Sequence, residues 1–240
     1  MTPFKPSVYS RHTATLIDNK LYILGGYDLN NNRIKEFFYL DISVQFNTQE
    51  LSWQDLSNIN MVPPHSSATS VKGGPNNDTL ILYGGISSDQ TMASVYTFNS
   101  QSIIWSIPKI AGVNTFIKWG STGIINNDGR MYLWSGSTDT GYVINEMFIL
   151  DTINLSWSKG SIINAPTPRF GYSATLLPNN KIIYMGKRVI FIFKYVLLFL
   201  LMNAYCLGGD NDVTTTYNIS TLNISKGTAL TLSEVYFVNI

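Results

Sequence analysis

Hydrophobic residues in this chain fall in short runs closed by turn residues, and no convincing amphipathic helical stretch precedes residue 187. Leu21-Tyr-Ile-Leu24 runs into Gly25-Gly26, Leu80-Ile-Leu-Tyr83 into Gly84-Gly85, and Met131-Tyr-Leu-Trp134 into Ser135-Gly136. A fourth run, Lys181-Ile-Ile-Tyr-Met185, ends at Gly186. Runs of this length predict strands, and fully apolar ones predict strands buried on both faces. The glycines predict sharp exits where the backbone takes positive φ or passes close to another segment. A second series is aromatic and ends in Asp or Asn: Phe37-Phe-Tyr-Leu-Asp41, Val95-Tyr-Thr-Phe-Asn99 and Met147-Phe-Ile-Leu-Asp151. A third closes on tryptophan, at Trp53, Trp105 and Trp157.

Those tryptophans recur every 52 residues, a period that points to one supersecondary unit repeated along the chain. A small-residue mark opens each unit: Arg11-His-Thr-Ala-Thr15, His65-Ser-Ser-Ala-Thr69, Gly120-Ser-Thr-Gly123 and Arg169-Phe-Gly-Tyr-Ser-Ala-Thr175. One unit thus predicts four strands in fixed order: small-residue, apolar, aromatic and tryptophan-bearing. With these marks the chain resembles the kelch family, whose repeat has an Arg/His-Ser-Ala opening, a Gly-Gly after a hydrophobic run, then a Tyr and a Trp. The resemblance covers Arg11 to about Val235. It implies an all-β fold, a kelch-type β-propeller fragment of about four blades of four antiparallel strands with the last blade incomplete. The expected units of this single domain, 1–240, are about 11–56, 65–105, 120–157 and 169–240. The fourth reaches an aromatic strand at Val235-Tyr-Phe237 without a following tryptophan strand. An arc with open blade edges is expected to associate with itself or another chain.

Composition agrees with a strand-rich core: 13% of residues are charged and 13% aromatic. A net charge of +1 without a basic cluster argues against a nucleic-acid surface. Cys206 is the one cysteine, so no intramolecular disulfide forms. The first residues lack an apolar signal-peptide core, which favours a cytoplasmic protein. Sequons at Asn77, Asn154, Asn218 and Asn223 occur at the frequency chance would give.

One stretch breaks the period. Residues 187–207 are the most hydrophobic of the chain and stand between Gly186 and Gly208-Gly209. Residues 189–207 are long enough to span a bilayer. Lys194 and Asn203 interrupt them, however, and a central lysine costs roughly 2.5–3.5 kcal/mol on insertion scales. A span there would also split a blade across the membrane. Joining Gly186 to Gly209 restores Lys-Ile-Ile-Tyr-Met-Gly-Gly-Asp, so the expectation is an insert foreign to the blade, such as an intron translated in frame; transcripts that all carry its codons would refute this.

Chemistry is sparse. His12 and His65 read as occupying equivalent opening positions, which favours a structural role over metal binding. The kelch resemblance brings galactose oxidase into view, but its copper site needs two histidines, two tyrosines and a tyrosine-linked cysteine. No histidine here matches a copper ligand, and Cys206 stands in the insert. No nucleophile elbow, phosphate loop or zinc-protease helix is present. Asp28, Asp89, Asp139 and Glu146 fall in loops after the Gly-Gly strands and read as solvated acids rather than a catalytic pair. Trp53, Trp105 and Trp157 read as wedges between blades, Trp134 as core, and Trp119 as the aromatic to test for ligand contact. The expected function is a non-enzymatic interaction scaffold without cofactor or metal. A protein partner is expected on the loops 27–36, 86–94, 137–146 and 210–232, rich in Asn, Ser, Thr and Tyr. The alternative is a carbohydrate-binding or galactose-oxidase-related propeller, with a membrane anchor through 189–207.

Overall fold

The structure, a computed structural model, describes residues 4–43, 45, 51–113, 115–163 and 165–185, and the backbone of 235–239. The insert 187–207, Cys206 and the loop 210–232 lie outside the described residues, and with them the membrane-span and translated-intron readings. Among the described residues no helix is long and apolar enough to cross a membrane.

Each predicted strand series becomes a layer of a sheet. The first sheet pairs β1 (Thr13–Ile17), β2 (Lys20–Leu24), β3 (Phe37–Asp41) and β4 (Trp53–Asp55) in sequence order, all antiparallel. Past a small strand β5 (His65–Ser66), the second sheet holds β6 (Thr69–Gly73), β7 (Thr79–Tyr83), β9 (Val95–Asn99) and β10 (Ile104–Ser106). A short strand β8 (Ile86–Ser87), in the loop after β7, pairs with β5. The third sheet adds β11 (Ala111–Gly112) to β12 (Gly123–Ile125), β13 (Arg130–Trp134), β14 (Met147–Asp151) and β15 (Ser156–Lys159). The fourth pairs β16 (Ser173–Leu176), β17 (Lys181–Met185) and β18 (Val235–Asn239).

The first strands of successive sheets touch: β1 meets β6, β6 meets β12, and β12 meets β16. They therefore share one axis, and the sheets radiate from it as propeller blades. Small residues suit this inner position because neighbouring backbones come close. The Gly123 N–H donates to Thr69 Oγ1 at 2.8 Å, and Thr122 Oγ1 donates to the Tyr172 carbonyl.

The apolar runs fill the seams between blades. Leu24, Phe37, Leu80, Phe98 and Trp105 form the core between blades 1 and 2. Ile81, Tyr83, Met131, Phe148 and Trp157 do the same between blades 2 and 3, and Trp134, Tyr172, Ile182 and Tyr184 between blades 3 and 4. The tryptophans occupy one slot: Trp53 opposite Leu40, Trp105 opposite Phe98 and Trp157 opposite Leu150. Trp105 and Trp157 reach into the preceding blade, edge-on to Phe37 at 5.2 Å and to Tyr83 at 5.6 Å. Trp53 meets Phe38 of its own blade and stays half-buried, so of the three it is the one that wedges no seam among the described residues.

The Asp or Asn closing each aromatic strand caps the next turn. Asp41 Oδ1 accepts from Ser43 N–H, Asn99 Oδ1 from Gln101 and Ser102, and Asp151 Oδ1 from Ile153 and Asn154. The third sheet departs from the four-strand expectation. The segment leaving β10 runs along β15, where β11 pairs in parallel and covers an otherwise open edge. Only glycine fits at Gly112, because an added Cβ would stand 2.2 Å from the Trp157 carbonyl oxygen.

Candidate functional site

Antiparallel order puts the turn between the first and second strands of each blade, and that between the third and fourth in blades 1 to 3, at one end of the axis. The long loops 25–36, 84–94 and 135–146 gather at the other, with the segments that enter each new blade. This long-loop face holds every acid and histidine singled out from the sequence.

At its centre the entering segments pass hydrogen bonds around the axis. Arg11, Ser67, Gly120 and Gly171 share positive φ, between 56° and 69°. The Ser67 N–H donates to the Arg11 carbonyl (2.9 Å), Gly120 to Ser67 (2.9 Å) and Gly171 to Gly120 (2.7 Å). Two residues before each of the last three stands a buried basic side chain: His65, Lys118 and Arg169, each 1% exposed. Their carbonyls accept from Gly26 (2.8 Å), Gly85 (2.9 Å) and Gly136 (3.0 Å), each the second residue after the apolar strand of the preceding blade. This two-residue exit, Gly-Gly in blades 1 and 2 and Ser-Gly in blade 3, is thus the joint between blades. A Cβ on Gly84 would lie 2.1 Å from the Lys118 carbonyl oxygen, and one on Gly25 would lie 2.7 Å from His65 Nε2.

This register corrects one expectation. Thr13 pairs with Leu24 and Thr69 with Tyr83, so Thr13 corresponds to Thr69 and His12 to Ala68. His65 instead corresponds to Tyr9, Lys118 and Arg169. The histidines are therefore not equivalents: His12 is exposed, whereas the His65 ring is enclosed. His65 Nδ1 sits 2.8 Å from the Pro63 carbonyl, and burial lowers the imidazole pKa. The shared basic position went unrecognised in the sequence, although counting four residues back from Thr69, Thr122 and Ser173 would have found it.

Lys118 is the unusual member. Its Nζ lies 4.6 Å from the centre of the Phe148 ring and donates to the Leu133 carbonyl at 3.4 Å. Burial pushes its pKa down to about 7, against the opposing pull of the Glu146 carboxylate. Arg169 turns its guanidinium back on Thr167, from Nε to the carbonyl and from Nη2 to Oγ1, both at 2.9 Å.

The loop acids serve their own loops. Asp28 accepts from the backbone of Asn30 and Asn32 and from the Asn32 amide, which holds its carboxyl below the usual range. Asp89 accepts the Thr91 hydroxyl and N–H, with the same effect. Glu146 pairs with Lys159 at 2.7 Å, and Asp139 is exposed. Among the described residues no three of His, Cys, Asp and Glu converge on a metal position. Trp134 is fully buried in the seam core. Trp119 is half-buried, edge-on to Phe170 at 4.7 Å, and its Nε1–H donates to the Thr138 carbonyl at 3.0 Å. It braces the loop 137–146 against the entry to blade 4.

The loops of blades 1 and 3 have the same frame. Asp28 N–H donates to Asn32 O and Thr138 N–H to Tyr142 O, with Asn31 and Gly141 at positive φ. Each loop carries one large exposed apolar side chain, Leu29 at 76% inside the blade 1 frame and Tyr142 at 73% on the residue that closes the blade 3 frame. On blade 1 the guanidinium groups of Arg11 and Arg33 lie 5.6 and 5.5 Å from the centre of the Tyr27 ring.

The KLHDC2/KLHL20/DRC7 kelch-repeats domain matches residues 11–205. The chain is similar to the dynein alpha chain of the flagellar outer arm of Chlamydomonas reinhardtii, 23% identical over 76% of this chain and 4% of that protein. It is also similar to the leucine-zipper-like transcriptional regulator 1 homolog of Drosophila melanogaster, 24% identical over 64% of this chain and 16% of that one. A third relative is the acyl-CoA-binding domain-containing protein 6 of Oryza sativa subsp. japonica, 23% identical over 76% and 28%. The chain thus spans a small part of each relative's length. Kelch-repeat domains typically serve as protein-interaction scaffolds. With four radiating sheets joined where each apolar strand ends and a matching domain over most of its length, the chain belongs to the kelch-repeat family.

Proposed function

We propose that this chain is a non-catalytic scaffold that holds a protein partner on the long-loop face, with loops 27–36, 86–94 and 137–146 as the contacts. The observation that carries this reading is the pair of similarly framed hairpins, each with one large exposed apolar side chain, Leu29 and Tyr142. Neither side chain serves the core, and a large apolar or aromatic residue on a braced loop is the kind of group that anchors protein interfaces. Hydrogen-bonded frames keep the ordering cost of binding low. The family's typical role supports the same reading.

The test compares three proteins as bait: the parent chain, a Leu29→Asp/Tyr142→Asp double variant, and Ile104→Asp, whose side chain lies exposed on an outer strand. Partners retained by the parent and Ile104→Asp but lost by the double variant, at equal melting temperature, are the expected result. Identical retention by all three rejects this face. Copper-loaded protein is expected to leave galactose unoxidised, and turnover above a metal-only blank rejects the non-catalytic reading.

A further inference from the structure

Lys118 stands where two of the long loops are rooted. Its carbonyl accepts the Gly85 N–H, at the entry to the loop 86–94. Its neighbour Trp119 exchanges two backbone hydrogen bonds with Ser137, both at 2.9 Å, at the start of the loop 137–146. At the far end of that loop the Glu146 carbonyl accepts the Ser135 N–H at 3.0 Å. Lys118 and Glu146 therefore stand at the two roots of one loop.

Their side chains meet around one ring. Lys118 Nζ lies 4.6 Å from the centre of the Phe148 ring, and Lys159 Nζ lies 5.5 Å from it. Glu146 precedes Phe148 by two residues and so falls on the same face. Its Oε1 accepts from Lys159 at 2.7 Å. Two groups of this cluster are poorly satisfied. Lys118 is 1% exposed, and its Nζ has one hydrogen bond among the described residues, a long one of 3.4 Å to the Leu133 carbonyl. An ammonium carries three donors. Glu146 Oε2 is buried with no hydrogen-bond partner.

The other titratable groups packed around Lys118 are committed elsewhere. Tyr83 of β7 donates its hydroxyl to the Phe116 carbonyl at 2.9 Å, and burial raises its phenol pKa. Arg169, at the next joint, turns its guanidinium on Thr167. Glu146 is the carboxylate whose charge acts on Lys118, against the stronger effect of burial. A buried lysine with so few acceptors is stable as the neutral amine and needs a further acceptor once it takes a proton. Glu146 can supply one at little cost, because its pair with Lys159 is exposed, with side chains 49% and 35% accessible, and such pairs contribute little.

We propose that Glu146 changes partner with pH. Where Lys118 is neutral, Lys159 alone holds the carboxylate. Where Lys118 is protonated, its ammonium takes up Glu146 Oε2 and draws the root of the loop 137–146 toward the joint between blades 2 and 3. One proton from solvent thus sets the form of the long-loop face. Its consequence, a partner affinity that changes with pH, rests on the reading of that face as the partner site; the exchange itself is a property of the free chain.

The full chain, without a partner, is followed by NMR at the Lys Cε, Glu Cδ and backbone amide resonances from about pH 5.5 to 8.5. Lys118 Cε, Glu146 Cδ and the amides of Ser137 and Glu146 are expected to shift together with one midpoint near 7. Lys118→Met should abolish the shifts at Glu146 and at both amides. Lys159→Met should raise the midpoint, because Glu146 is then free to serve Lys118. A Lys118 that does not titrate in this range overturns the proposal. So does a Glu146 carboxyl that stays flat through the Lys118 midpoint, or a set of loop shifts that persists in Lys118→Met. The parent titration decides the matter even if a variant fails to fold. A face that retains no partner leaves these shifts untouched, so the two readings fail separately.

Discussion

Between blades 2 and 3 the turn 74–78 crosses to Thr152, whose hydroxyl closes the seam with one hydrogen bond to each blade. Between blades 1 and 2 the turn 18–19 falls short, and Ser100, whose N–H donates to Asp78 O as that of Thr152 does to Gly129 O, keeps its buried hydroxyl unpaired, as does Tyr22. The apolar halves of the two seams are nearly interchangeable: each has a tryptophan from the later blade lying edge-on to an aromatic of the earlier one. What differs is the polar rim. Hydrophobic burial is non-directional and tolerates substitution within a repeat, whereas a hydrogen bond across a seam needs two particular groups within about 3 Å.

The largest test of that comparison removes the parts the seams share. Trp105→Ala and Trp157→Ala should each lower stability by roughly 3–5 kcal/mol in denaturant titrations. Trp53→Ala should cost distinctly less, because Trp53 is half-buried and packs on its own blade. Equal losses at all three positions would show that the seams contribute no more than burial within a blade.

Next in size is a pH effect confined to the seam that Lys118 occupies. Burial lowers its folded pKa to about 7 from 10.5, so between those values the unfolded chain binds the proton and the folded chain does not. Stability should therefore rise with pH through that window, by at most about 1.4 kcal/mol per unit, and level off below it. Melting temperatures from pH 7 to 9 should climb for the parent, and Lys118→Met should flatten the climb. A parallel rise in the variant would assign the effect to other groups.

Smaller still is the cost of opening the closed seam. Thr152→Val leaves the buried Gly74 N–H without its acceptor and should destabilise by about 1–3 kcal/mol. The matching change between blades 1 and 2, Ser100→Ala, removes a hydroxyl that bonds to nothing and should shift stability by less than about 0.5 kcal/mol. A Ser100→Ala loss as large as that of Thr152→Val would mean the two seams are closed alike.

Much of the fold was legible because its signals are local. Strand series, glycine exits and Asp or Asn caps each depend on a few consecutive residues, and those residues behave as their types predict. The opening mark misled for a physical reason. Matching Ala14-Thr15 to Ala68-Thr69 shifts the first strand by two residues, and a shift of two returns every side chain to the same face. The alternation of buried and exposed positions therefore cannot detect it. The shift hid the shared basic position by setting His65 against Arg11, the neighbour of His12, rather than against Tyr9. Of the candidate site, the acids and Trp119 lie on one face, but their partners were unreadable because the bonds join a loop to itself, to another strand of its own blade or to the next blade.

Sequence alone determined what repeats: four strand series, their order, the period of 52 and hence the propeller class, since periodicity and turn chemistry are written in neighbouring residues. Tertiary structure alone decided what differs between repeats. It set which tryptophan wedges a seam, which strand edge β11 covers, which basic side chains are buried where one blade joins the next, and which hydroxyls stay buried without a partner. Each of these depends on how far one blade's turn or entering segment reaches toward its neighbour, a distance that no local pattern carries.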